Sequence, residues 1–332
     1  MASGSRIVVV TGASAGIGRA TALEFARQGW RVALLARGID GLEGARRDIE
    51  SAGSEAMVIE TDVADQTQVE AAASRVESEW GPIDAWINNA MATIFSKFLD
   101  VAPEDFRRAT EVTYFGTVWG TRAALARMKP RDRGVIVQVG SALAYRSIPL
   151  QAPYCGAKSA IRGFTDSIRS ELLHDHSGVH ITMVQLSAFN TPQFGWGRTT
   201  LGCRPRPMGK IFQPEVAARS ILYAATHRRR ELWVGWPAAK AILGNRVIPG
   251  YLDRRLARTA VDGQHTDEPL PPGRQDNLYS PVAGDHGAHG RFDAKALDSS
   301  AQAWLAMRPV VAVALGVVTV VAAAALLAGI FG

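Results

Sequence analysis

The sequence predicts an α/β fold, a parallel sheet whose strands alternate with helices. Two observations carry that expectation. Short apolar runs alternate with helix-period segments through the first two-thirds of the 332-residue chain, the pattern of a parallel sheet whose crossovers are helices. The first run, Arg6-Ile7-Val8-Val9-Val10, leads directly into Thr11-Gly12-Ala13-Ser14-Ala15-Gly16-Ile17-Gly18, after which Ala20, Leu23, Phe25 and Ala26 recur at helical spacing.

The remaining elements follow in order. Arg31 to Ala36 reads as a second strand and Gly38 to Ala52 as a helix; Glu55 to Glu60 reads as a third strand and Gln66 to Glu79 as a helix. Ile83 to Asn88 is a fourth strand, and one long helical pattern runs from about Pro103 to Met128. Val135 to Val139 is a fifth, fully apolar strand but for Gln138, and it leads to a helix around Tyr154. Val179 to Gln185, the helix Pro214 to Thr226 and the short strand Glu231 to Val234 complete the alternation.

Strand, glycine-rich turn and helix in succession form a phosphate site: the glycines let the backbone approach a pyrophosphate, and the helix start offers unpaired N–H groups with a partial positive charge. A second constellation lies at Ser141, Tyr154 and Lys158. Tyr154 and Lys158 stand four apart and so share a helix face, where an ammonium would make the phenolate cheaper to form. Pro153 suits the first turn of that helix. A serine at a strand end and a tyrosine at a helix start can converge on one substrate oxygen, the equipment for moving a proton to or from an alcohol or carbonyl.

Together, Thr11 to Gly18, Asp62-Val63, Asn88-Asn89-Ala90, Ser141 and Tyr154-x-x-x-Lys158 resemble, in order and spacing, the extended-core Ser-Tyr-Lys members of the short-chain dehydrogenase/reductase family, over roughly residues 5 to 235. The resemblance implies a Rossmann-type, doubly wound parallel sheet in three α/β/α layers that binds a dinucleotide at the carboxyl ends of its strands, and NAD(P)-dependent oxidoreductase chemistry. It implies that Thr11, Gly12, Ser14, Gly16, Ile17 and Gly18 form the phosphate turn, that Asp62 and Val63 border the adenine, and that Asn88 and Ala90 lie along the nicotinamide ribose. Tyr154 would be the general acid in reduction, Lys158 would lower its pKa and hold the ribose hydroxyls, Ser141 would polarise the carbonyl, and Thr191 would contact the nicotinamide amide. The family's relay asparagine falls on Thr113, which offers only a hydroxyl. Met91 replaces a frequent glycine, and Leu186 to Thr191 lacks the frequent Pro-Gly. The family commonly forms dimers or tetramers, so a homo-oligomer is the corresponding expectation.

The second strand ends Leu34-Leu35-Ala36-Arg37, with no carboxylate and a guanidinium in reach. An acid there would bind the 2′-hydroxyl of NAD, whereas an arginine accepts the 2′-phosphate of NADP. The expected cofactor is NADP(H), with Arg37 as main determinant and Arg19 or Ser14 as helpers. Between Ser187 and Gln213, Phe189, Phe194, Trp196 and Phe212 give the expected substrate lid an apolar inner surface, which points to an apolar small-molecule substrate.

The net charge of +6 is unevenly placed: residues 198–260 hold thirteen Lys/Arg against three Asp/Glu, a local excess of +10 that leaves the rest at −4. Arg228-Arg229-Arg230 and Arg254-Arg255-Arg258 flank an apolar segment with Trp233, Trp236, Ile242, Leu243, Ile248 and Tyr251. That combination suits an anionic membrane surface and equally a solvated basic face; no nucleic-acid motif accompanies it. Two cysteines, Cys155 and Cys203, argue against a disulfide framework and suit a reducing compartment. No Cys/His cluster has metal-ligand spacing, and no cleavable signal sequence is evident.

The expected division is a catalytic domain over 1–260, a flexible linker over 261–303, poor in apolar periodicity, and a membrane anchor over 304–332. Val310 to Phe331 holds no charge over 22 residues, enough at about 1.5 Å per residue to cross roughly 30 Å of hydrocarbon. Arg308 and Trp304 flank it, and the catalytic domain would face the cytoplasm. The functional expectation is a membrane-anchored NADP(H)-dependent oxidoreductase (EC 1.1.1.-) interconverting a carbonyl and an alcohol. The competing reading is a catalytically weak NADP(H)-binding regulatory or scaffold protein, for which Thr113 is the one hint.

Overall fold

The computed structural model describes residues 5–314. Seven parallel strands form the central sheet: β1 (Ile7–Thr11), β2 (Arg31–Ala36), β3 (Ala56–Glu60), β4 (Ala85–Asn88), β5 (Val135–Ser141), β6 (His180–Leu186) and β7 (Glu231–Val234). Their order is β3-β2-β1-β4-β5-β6-β7, with Val8 opposite both Val32 and Ala85 in register. The order reverses between β1 and β4, which opens a crevice at the carboxyl ends of those two strands.

The alternation of side chains along β1 shows how apolar runs build two cores. Val8 and Val10 enter one cluster, with Phe25 of helix α1 (Gly16–Ala26), Leu42 and Ile49 of α2 (Ile39–Ser51) and Ile221 of α7 (Pro214–Thr226). Ile7 and Val9 point to the opposite face. They join Val69 and Val76 of α3 (Gln66–Trp80), Ala109 of α4 (Pro103–Thr110), Ala124 of α5 (Gly116–Met128) and Leu172 of α6 (Ala152–His174). Local chemistry sets the helix starts: Asp65 accepts from the N–H groups of Thr67 and Gln68 at the head of α3, and proline occupies the first turn of α4, α6 and α7.

The long helix expected over 103–128 is two helices joined by a π turn, Glu111–Phe115. Inside that turn the Thr113 hydroxyl accepts from the Ala92 N–H at 3.0 Å and donates to the Ala92 carbonyl at 3.1 Å. A side chain that serves both polar groups of a neighbouring residue draws the helix open there.

Beyond β7, the basic apolar segment forms helices α8 (Trp236–Val247) and α9 (Pro249–Thr259). Residues 261–303 are not the flexible linker that composition suggests. Leu278 is fully buried and Gln264 nearly so, Asn190 bonds to Phe292 and Asp293, and the short strand Ala296–Leu297 pairs with Ile211–Phe212. Such a stretch has too little apolar surface to fold alone, but it lies on an already ordered domain whose polar groups serve it as template. Helix α10 (Ala301–Ala306) then packs through Ala303 into the first core, and Gln302 donates to the Trp233 carbonyl. The expected span from Val310 to Phe331 lies mostly outside the described residues; among those described, no helix is long and apolar enough to cross a membrane.

Candidate active site

The glycine turn is fixed from beneath by Thr11, 2% exposed. Its hydroxyl accepts from the N–H groups of Asn89 and Ala90 and donates to the Ile87 carbonyl, tying the end of β1 to the end of β4. Asn89 completes the tie by donating to the carbonyls of Thr11 and Gly12. A Cβ on Gly18 would overlap the Gly12 carbonyl oxygen, and Gly12 itself sits at φ +66° with its would-be Cβ 2.8 Å from the Ala90 Cα. Only glycine allows this close approach, and it leaves the start of α1 facing an open cavity.

That cavity, about 390 Å³, runs along the carboxyl ends of the strands. Gly12, Ser14, Gly16, Ile17, Arg37 and Asp62 line one part of it, with Val63 and Ala90 beyond; Ser141, Tyr154, Lys158 and Thr191 line another. The structure therefore brings twelve of the sequence-derived candidates to one cavity. Thr11 and Asn88 lie behind its wall. Asn88 accepts from the Trp86 indole and donates to Thr121 and Gln138, a buried network that fixes β4 against β5 and α5. Thr113 is also absent from the wall; its hydroxyl accepts from the Ala92 N–H and gives its proton to the Ala92 carbonyl.

At the catalytic end, β5 ends at Ser141, whose Oγ accepts from the Leu143 N–H at 3.1 Å, leaving its O–H proton available to a partner. Tyr154 and Lys158 project from one face of α6, with the Lys158 Nζ 5.6 Å from the centre of the Tyr154 ring. The ammonium donates to the Val139 carbonyl of β5 at 2.6 Å. Burial works against the acidification that helical spacing leads one to expect of the phenol. Burial pushes it up to about 12, against a downward pull from the Ser141 hydroxyl, and burial pushes Lys158 down to about 8. Desolvation opposes charge on both groups, so a neutral phenol is the resting form at neutral pH.

Opposite these groups, Phe189, Phe194, Trp196 and Met208 present an apolar wall, joined by Pro237 and Ala241 of α8. Phe212 is not part of it: the ring packs behind Phe189, centroids 6.0 Å apart, and is 3% exposed.

The adenosine end differs from expectation in its charges. Arg19 does not face the cavity; it pairs with Asp48 and Asp285. Arg37 does face it, but its terminal nitrogens donate to the carbonyls of Asn277, Leu278 and Tyr279. Arg108, which the sequence did not single out, pairs with Asp62 and donates to the Leu278 carbonyl. Asn89 and Arg108 were hidden for the same reason: each acts on backbone or charge contributed from a distant part of the chain. Asn89, the middle residue of Asn88-Asn89-Ala90, carried the only available signal.

Comparison with known proteins agrees with this geometry. A family model described as short chain dehydrogenase matches residues 6–198. The uncharacterized oxidoreductase YxnA of Bacillus subtilis is 31% identical over 283 residues, covering 85% of this chain and 80% of that protein. The 3-ketodihydrosphingosine reductase of Bos taurus is 31% identical over 223 residues, 65% of this chain and 67% of that one. Other relatives are longer: the chain spans 45% of the probable oxidoreductase EphD of Mycobacterium tuberculosis. Among solved structures, an alcohol dehydrogenase from Thermococcus sibiricus, complexed with 5-hydroxy-NADP, superposes with a TM-score of 0.61 at 25% identity, over 69% of this chain and 96% of that one. The chain belongs to the short-chain dehydrogenase/reductase family of oxidoreductases.

Proposed function

We propose that the protein reduces an apolar ketone or aldehyde, and in reverse oxidises the alcohol, with NADP(H) as cofactor and Tyr154 as general acid. One observation carries the reading: a single cavity is lined by the glycine turn, Arg37, Ser141, Tyr154 and an apolar wall. The residues present fit the cofactor. Gly12 and Gly18 keep Cβ atoms out of the turn, the first turn of α1 beyond Gly16, whose N–H goes to the Gly287 carbonyl, would offer amide donors to a pyrophosphate, and Arg37 follows β2, the position at which an arginine would read a 2′-phosphate. The 5-hydroxy-NADP complex of the Thermococcus enzyme supports the same choice, and the name 3-ketodihydrosphingosine reductase supports a keto substrate with apolar length.

When bound, the nicotinamide supplies the hydride. Ser141, its Oγ already held by the Leu143 N–H, donates a hydrogen bond to the carbonyl oxygen and polarises it. Tyr154, neutral at pH 7 because its pKa stands near 12, gives the proton that turns the developing alkoxide into an alcohol. Lys158 fixes α6 to β5 through the Val139 carbonyl and, while protonated, stabilises the phenolate that Tyr154 leaves behind. The test follows NADPH absorbance with ketones of increasing chain length, wild type against Tyr154→Phe. Tyr154-dependent oxidation that improves with chain length supports the reading. NADPH binding without Tyr154-dependent turnover would favour the scaffold alternative, which the closed Thr113–Ala92 pair supports.

Membrane attachment through the C-terminal apolar run, with the catalytic domain on the cytoplasmic side, belongs to the same proposal. Its support is the uncharged stretch Val310–Phe331 and the outer face of α8 and α9. There Trp236, Leu243, Val247, Ile248 and Tyr251 are exposed beside Lys240, Arg246, Arg254 and Arg255. Because α8 also lines the cavity, an apolar substrate would enter next to that face. Salt-sensitive binding of the chain to anionic vesicles, retained after removal of 310–332, is the expected outcome; no retained binding would limit attachment to the tail.

A further inference from the structure

Residues 277 to 287 cross the adenosine end of the cavity and hold both of its banks. On one bank, the carbonyls of Asn277, Leu278 and Tyr279 accept from Arg37, and the fully buried Leu278 side chain joins the core cluster that includes Val63, Ala109 and Val112. On the other, Asp285 pairs with Arg19 and the Gly287 carbonyl accepts from the Gly16 N–H at 3.1 Å. Between these moorings Pro281, Val282, Gly284 and His286 line the cavity, and His286 stands edge-on to the lid residue Trp196, centroids 4.8 Å apart. The segment roofs the space and leaves it open beneath.

Its effect on Arg37 is specific. A guanidinium has five N–H donors in a rigid plane. Nη1 gives both of its protons to Leu278 and Tyr279, and Nη2 gives one to Asn277. The two that remain, on Nε and Nη2, form one edge of the plane, and among the described residues no group accepts from them. Such an edge makes a bidentate contact with a phosphate. Burial under the roof holds the Arg37 pKa below its ordinary value, but an arginine stays charged.

We infer that residues 277–287 are part of the cofactor site, a strap that aims Arg37 at the 2′-phosphate and thereby sets the preference for NADP(H) over NAD(H). The inference rests on the NADP(H) reading given above. A guanidinium held by three carbonyls loses no further rotamer freedom when it meets the phosphate, and that preorganisation favours the phosphorylated dinucleotide alone. The 2′-hydroxyl of NAD(H) makes no comparable use of it. The opposite role, a plug whose carbonyls compete with the phosphate for Arg37, predicts the opposite sign.

The experiment is a fluorescence titration of the full-length chain with NADPH and with NADH, for wild type, Leu278→Ala and Asp285→Asn. The first variant loosens the Arg37 bank and the second the Arg19 bank; Asp285 is partly exposed, so its variant serves if Leu278→Ala fails to fold. The expected result is an NADPH Kd raised about tenfold in Leu278→Ala and about threefold in Asp285→Asn, with the NADH Kd changed by less than about twofold. Unchanged NADPH affinity in the folded variants, an equal loss for both dinucleotides, or tighter NADPH binding would overturn the strap's role. Failure of the wild type itself to bind NADPH would instead remove the cofactor reading, and the strap's role with it.

Discussion

The adenosine end of the cleft and its catalytic end handle charge in opposite ways. At the first, Arg19, Arg37 and Arg108 each meet partners within reach: Asp48 and Asp285, three carbonyls, and Asp62. At the second, Tyr154 and Lys158 are buried without a carboxylate, and their ionisation is governed by desolvation. A site of compensated charge discriminates between ligands by where its held cations are aimed. A desolvated site instead holds its groups in the protonation state that the chemistry needs.

The sharpest way to break this contrast is Tyr154→Phe. It removes the proton but little volume, and single-turnover NADPH oxidation should slow by about 10² to 10⁴ while NADPH binding persists. A variant with near wild-type turnover would show that the buried end is not the catalytic end. Next comes Arg37→Ala, which should lower the NADPH-to-NADH preference by about ten- to a hundredfold, with the effect in affinity rather than in kcat. Third is pH. With Lys158 near 8 and Tyr154 near 12, carbonyl reduction should fall as pH rises through about 8, by roughly tenfold per unit beyond it. The same shift makes the unfolded chain bind more protons than the folded one between about 8 and the ordinary lysine value, so Lys158 makes stability rise with pH in that window.

The smallest effect is expected at His289, which contacts Glu215 and Asp293. Burial lowers its pKa, but the two carboxylates outweigh burial and the net direction is upward. Its contribution to stability is therefore complete below the ordinary histidine value and is lost as pH rises through the raised one. Thermal melts of His289→Ala should differ from wild type by at most about a few degrees at pH 5.5, and by less at pH 8.

The sheet was legible because a parallel strand buried on both faces is a run of apolar residues, and β2, β7 and α7 appear in the structure with the bounds that periodicity suggests. The pairing of Tyr154 with Lys158 on one face was legible through spacing along one helix. What the sequence concealed is carried by backbone: the carbonyls that hold Arg37 belong to Asn277, Leu278 and Tyr279, and no side-chain pattern announces a carbonyl's direction. The bonds of Thr113 were hidden for a related reason, since its hydroxyl meets a main-chain partner twenty-one residues away. Phe212 looked like lid because composition does not tell the two sides of a short strand apart.

The docking of α10 on β7 has a geometric corollary. Met307, Arg308 and Pro309 alone separate the end of that helix from the start of the uncharged run at Val310, a leash no longer than about 14 Å when fully drawn out. Anything that engaged the run at its start would therefore lie within about that distance of the end of α10.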